Sequence, residues 1–162
     1  MKAPSLEIRA ALSRCALVCR SWRRFARAHL YRAVVLTGRR ACANFVQAVE
    51  HNGTLASSVV NLSYFDNVSV DTSRKLPHDD GRMSLLARLL RACTGLERLR
   101  LCGPWTTLYP DVLKALSAHR ALSALYCCSR PSKTGVGLWS LCTFLPKQLP
   151  ASLKYLYLDS NV

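Results

Sequence analysis

The sequence predicts an α/β fold made by repetition: a solenoid with a parallel strand ladder on its concave side, preceded by short helices. Three observations lead there. Short β-type apolar runs alternate with stretches of helical spacing from Tyr31 onward. Four of the runs share one template, in which an apolar residue is followed by two variable ones, an apolar one, a variable one and an apolar one. The central leucines of the copies, Leu62, Leu99, Leu125 and Leu156, recur at intervals of 37, 26 and 31 residues. A strand and helix pair cannot bury its apolar face alone, so neighbouring copies must stack.

Before the repeats, Leu12, Cys15, Cys19, Trp22, Ala26 and Leu30 recur at steps of three or four, which predicts one helical stripe or two short consecutive helices. Arg20, Arg23, Arg24 and Arg27 take another face of the same segment, as a solvated side does. A first strand is expected at Ala33-Val34-Val35-Leu36, and a helix through Cys42, Phe45, Val46 and Val49 that stops at Asn52-Gly53. Val59 to Tyr64 reads as the next strand.

Residues 66 to 82 are polar, contain Pro77 and Gly81, and read as a long loop. Leu86, Leu89, Leu90 and Cys93 then give a helical face ending at Thr94-Gly95, followed by a strand from Leu96 to Leu101. Pro110-Asp111 opens another helix, because proline wastes no N–H in a first turn and the carboxylate faces the positive end of the dipole. Val112, Leu113 and Leu116 supply its buried face, and Leu122 to Cys127 the following strand. A helix through Leu138, Leu141, Cys142 and Leu145, closed by Pro146 and Pro150, leads to a last strand from Leu153 to Leu158.

Side chains alternate along a strand. With Leu99, Leu101, Leu125, Leu156 and Leu158 inward, the concave face receives Asn61, Ser63 and Phe65, then Arg98, Arg100 and Cys102, then Ala124, Tyr126 and Cys128, then Tyr155, Tyr157 and Asp159. Tyr126, Tyr155 and Tyr157 beside Arg98 and Arg100 form a composition favoured at protein-binding hot spots, and these five are the expected target-binding residues. Tyrosine on a strand also satisfies β propensity alone, so the adjacency of the three is what singles them out.

The formal net charge is +14, and the excess sits at the front: residues 1 to 40 hold ten Lys or Arg against Glu7 alone. Such a balance favours acidic or phosphate-bearing partners, and nucleic-acid binding is the alternative reading it raises. No base-reading motif accompanies the charge. The four histidines (His29, His51, His78 and His119) are scattered and no phosphate-cradling glycine loop is present. Cys15 with Cys19, and Cys127 with Cys128, lack zinc-site spacing. A non-enzymatic chain without metal, cofactor or small-molecule substrate is therefore expected.

No apolar run reaches the ~20 residues of a bilayer-spanning helix, so no membrane association is expected. Glu7, Arg9 and Arg14 interrupt any signal-peptide core, which predicts reduced thiols, with Cys15, Cys19, Cys42, Cys93 and Cys142 on core faces. A cytoplasmic or nuclear location is expected, and the Arg- and Ala-rich start offers mitochondrial targeting as the alternative.

Leu153 to Asn161 (LKYLYLDSN) fits LxxLxLxxN at every fixed position, and here the chain resembles the leucine-rich-repeat proteins. In that family the asparagine bonds backbone groups in the turn after the strand; its position holds Pro104 after the second copy and Arg130 after the third. Residues 15 to 36 resemble the second half of an F-box, through Leu17-Val18-Cys19-Arg20-Ser21-Trp22 followed by Leu30-Tyr31-Arg32. The F-box's opening helix would lie upstream, where Leu6, Ile8 and Leu12 are the apolar positions.

The two resemblances imply a partial F-box-like helical segment over 1–32 and a leucine-rich-repeat-like array over 33–162 with its polar loop at 66–82. They also imply a substrate-recognition subunit of a cullin ubiquitin ligase. Leu17, Val18, Arg20 and Trp22 would dock on a Skp-type adaptor, and the repeats would hold a target protein. A structural repeat fragment with no ligase role is the other reading.

Overall fold

The computed structural model describes residues 6–66, 82–103, 110–129 and 149–159. The predicted polar loop beyond Asp66 and the predicted helix around Leu138 to Leu145 lie outside the described residues, as does Asn161 of the repeat signature. Two helices, α1 (Leu6–Val18) and α2 (Arg20–Arg32), pack on each other and lead into β1 (Ala33–Thr37). Then follow α3 (Gly38–Glu50), α4 (Gly53–Ser58), β2 (Asn61–Phe65), α5 (Arg82–Ala92), β3 (Arg98–Gly103), α6 (Pro110–Ser117), β4 (Ala124–Ser129) and β5 (Tyr155–Asp159).

All five strands pair in parallel and in chain order, β1-β2-β3-β4-β5. The mixed α/β class and the parallel sheet predicted from the repeat are therefore present. The register aligns the template leucines: Val34, Leu62, Leu99, Leu125 and Leu156 form one row across the sheet, and Leu36, Tyr64, Leu101, Cys127 and Leu158 the next. Rows of this kind arise because a strand's side chains alternate with period two, so one residue of slip would turn every leucine outward. Leu62, Leu99, Leu101 and Leu125 are fully buried, each contributing about 1.5–3 kcal/mol relative to an exposed side chain.

The two rows also hold a further copy of the template, in a segment expected only to be a strand. Tyr31, Val34 and Leu36 have the same spacing and the same register. Val34 and Leu36 are buried and Tyr31 packs against the core.

One layer of helices covers this face. α3 packs on α5 and α5 on α6. Cys42, Val46 and Val49 from α3, Leu86, Leu89 and Leu90 from α5, and Val112, Leu113 and Leu116 from α6 meet the sheet in a single core. Glu50 of α3 accepts two hydrogen bonds from Arg88 of α5, at 3.0 Å from Nε and 2.7 Å from Nη2, and Arg91 of α5 reaches Asp111 of α6 at 3.8 Å. These pairs are exposed, so they tie the layer's surface more than they hold the core.

The structure alters or refines four of the expectations. The helix stop expected at Asn52-Gly53 is present, and a second short helix follows it at once. α3 stops at His51, and Asn52 caps a new helix, its Oδ1 accepting from the Leu55 N–H at 3.2 Å. The helical stripe of the front segment breaks at Cys19, whose extended backbone (φ −155°) starts α2 and rotates it, so Cys19 and Trp22 are exposed while Ala26 is buried. Leu156 keeps its place in the inward row yet is exposed, because β5 ends the strand order with one paired neighbour among the described residues. Cys102, Ala124 and Cys128 point to the open face yet are buried, being small side chains recessed beneath longer neighbours.

Candidate functional site

The sheet's second face carries no helix among the described elements, and its side chains fall into rows set by the register. Asn61, Arg98, Ala124 and Tyr155 form one row, Ser63, Arg100, Tyr126 and Tyr157 the next, and Phe65, Cys102, Cys128 and Asp159 the third. All five predicted target-binding residues therefore share one face. Adjacent strands stand about 4.8 Å apart, so Arg100, Tyr126 and Tyr157 are direct neighbours in their row. The Tyr126 and Tyr157 rings lie 6.0 Å apart, tilted by 45°. The three tyrosines are 38 to 66 % exposed.

An open groove of about 590 Å³ runs along this face, lined by Arg98, Arg100, Tyr126, Tyr157, Asn61 and Ser63 among others. Tyr155, in the outer row of the edge strand, does not line it. Beside the groove lies a contact that sequence reasoning left out. The Arg100 guanidinium carbon stands 5.6 Å from the centre of the Phe65 ring, a cation–π distance. Phe65 was placed on this face by alternation, but its pairing with Arg100 depends on the β2–β3 register.

Cys102 and Cys128 are register partners with free thiols. Burial pushes the Cys102 thiol above its ordinary range, the neighbouring Cys128 thiol adds to this, and Arg100 opposes it. Burial works against the Arg100 charge and the hydrogen bonds to the two sulfurs work for it, the balance being upward; the guanidinium is a full cation at any ordinary pH. Sulfur is a weak acceptor, so most of the five guanidinium donors remain available. Among the described residues, no ion pair joins Arg98 or Arg100 to an acid. Asn61 Oδ1 is buried without a hydrogen-bond partner. Among the described residues, no group of three or more His, Cys, Asp or Glu is arranged to hold a metal ion.

A second surface forms where α1 meets α2. Leu17 and Val18 end α1, Cys19 links, and Arg20 and Trp22 begin α2, so the four predicted adaptor-binding residues are brought together. The junction is fixed by backbone chemistry: the Trp22 N–H donates to Cys19 Sγ at 3.5 Å and Arg23 Nε donates to the Ala16 carbonyl at 3.3 Å. Leu17, Val18, Trp22 and also Phe25, which sequence reasoning did not select, are 59 to 80 % exposed. Four large apolar side chains thus stand exposed within the nine residues that span the junction. Phe25 was legible as Trp22 plus three on the same helix.

No helix among the described residues is long and apolar enough to cross a membrane. Comparison with known proteins found no matching family model, no matching curated protein and no matching solved structure.

Proposed function

We propose that this chain is a non-catalytic protein-interaction module: a leucine-rich-repeat solenoid that holds a target protein on its open sheet face. The F-box-like helices before it dock on a Skp-type adaptor of a cullin ubiquitin ligase. The observation that carries the reading is the separation of two exposed surfaces on one frame. An apolar cluster, Leu17, Val18, Trp22 and Phe25, stands at the α1–α2 junction, and a groove rich in arginine and tyrosine lies on the sheet.

Each surface has the composition its role needs. An adaptor contact that stays assembled is driven by apolar burial, and the first cluster offers that burial with Arg20 at its edge. A target site needs rigid aromatic anchors and arginine, which the second surface presents from paired strands. The parallel ladder supports a solenoid, since each strand adds to the last in chain order and shares its leucine row. On this reading the chain acts where cullin ligases do, in the cytoplasm or nucleus.

The test is a pull-down with a purified Skp-type adaptor, comparing the chain with its Leu17→Asp/Trp22→Ala variant. The chain retains the adaptor and the double variant loses at least about tenfold, the equivalent of ~1.4 kcal/mol. Both substitutions are at exposed positions, so circular dichroism of the variant stays that of the parent. Equal retention by both, or none by the parent, overturns the ligase reading.

A further inference from the structure

We infer that the groove on the open sheet face binds an acidic peptide segment of its partner, seating a carboxylate or phosphate between Arg98 and Arg100 and packing the adjoining side chain on Tyr126 and Tyr157. The inference rests on the proposed role of this face in holding a target, and it names the chemistry of that target.

Charge complementarity is the first argument. Arg98 and Arg100 lie two residues apart on β3, roughly 6.6 Å along the strand, and both line the groove. Neither is neutralised by an acid among the described residues, and Asp159 is the one carboxylate among the groove's lining residues. Two guanidinium forks at that spacing can converge on one oxyanion, and arginine matches carboxylate and phosphate with paired donors.

Preorganisation is the second argument. Arg100 is held over the Phe65 ring at 5.6 Å and beside the Cys102 and Cys128 thiols, which are buried and free. Its side chain therefore loses little freedom on binding, which is where arginine contacts usually surrender affinity. A thiol pair beneath it supports the side chain without cancelling its charge.

The third argument distinguishes a peptide from a bare anion. A peptide that carries the anion also carries adjoining side chains, and the exposed, tilted Tyr126–Tyr157 pair, with ring centres 6.0 Å apart, offers them an aromatic platform that a bare anion does not use.

The experiment uses fluorescein-labelled decapeptides of Gly, Ser and Tyr whose two central residues are Glu, phosphoserine or Gln, with a random-sequence decamer RNA as a fourth probe. Fluorescence anisotropy at about physiological salt reads affinity. The Glu peptide, the phosphoserine peptide or both bind at least about tenfold tighter than the Gln peptide, and which one does so identifies the oxyanion. Arg98→Gln and Arg100→Gln each weaken that binding about tenfold. Arg40→Gln, an equal loss of charge at an exposed position in the α3 helix layer, leaves it unchanged.

Equal binding of the Gln peptide, an equal loss with Arg40→Gln, or RNA binding tighter than every peptide would overturn the inference. Peptide failure with adaptor retention intact removes the acidic ligand and leaves the docking surface standing. Adaptor failure with the peptide results as expected removes the ligase role and leaves the groove.

Discussion

His119, in the turn after α6, is buried, and its Nε2 lies 2.9 Å from the carbonyl oxygen of Leu90. The neutral ring donates there, joining α5 to the turn. Burial lowers the His119 pKa from its ordinary 6.5, and the hydrogen bond to Leu90 offsets part of that. A base whose folded pKa is depressed gives stability that is complete above its unfolded value and lost as pH falls through the folded one. The thermal midpoint therefore falls as pH drops from 7 toward 5, and His119→Gln, which keeps a donor for Leu90 without a titrating ring, shows a smaller fall. Differential scanning fluorimetry across that range checks it, and equal slopes would contradict it. The core thiols behave oppositely to a switch: burial pushes Cys42 up to about 11 and Cys93 and Cys127 up to about 12, so they stay neutral and pack as small apolar groups.

At the scale of elements, the join between helices and strands is set by close backbone approach. Gly95 sits in the turn before β3, and a Cβ there would stand 2.7 Å from the Ser57 carbonyl oxygen and 3.6 Å from that of Val59. The turn after α4 and the turn after α5 are thus packed backbone to backbone, which lets Glu97 and Arg98 N–H groups reach the Val60 carbonyl at 2.9 and 3.1 Å. Gly95→Ala forces those turns apart and costs about 1–3 kcal/mol, lowering the urea midpoint. Gly53→Ala, in the first turn of α4 with nothing within 4 Å of its Cβ, is neutral or slightly stabilising in the same measurement. Similar losses at both glycines would mean that the turn contact does not set the repeat spacing.

For the whole molecule, 23 basic residues against nine acidic ones leave +14, and the first 40 residues hold most of the excess. Self-repulsion of that size opposes the compact state and is screened over a Debye length of about 8 Å at physiological salt. Raising sodium chloride from about 20 to 200 mM therefore raises the melting temperature, most of all in a chain that keeps α1 and α2. A flat response would show that the arginines are already neutralised pairwise.

Much of this architecture was legible in the residues. Leucine spacing marked β2 to β5 and their inward positions, because alternation along a strand and packing of a repeat are properties of a few consecutive side chains. The same spacing at Tyr31, Val34 and Leu36 was readable too, and its strand joins the sheet in the same register. Arg98, Arg100 and the tyrosines could be assigned to one face on the same grounds. Contact between distant segments decided the rest. Register between strands set Arg100 over Phe65 and Tyr126 beside Tyr157. The break at Cys19 turned Trp22 outward, and packing under longer neighbours buried Cys102 and Cys128. A local pattern fixes which way a side chain points, whereas its neighbours and its exposure follow from residues tens of positions away.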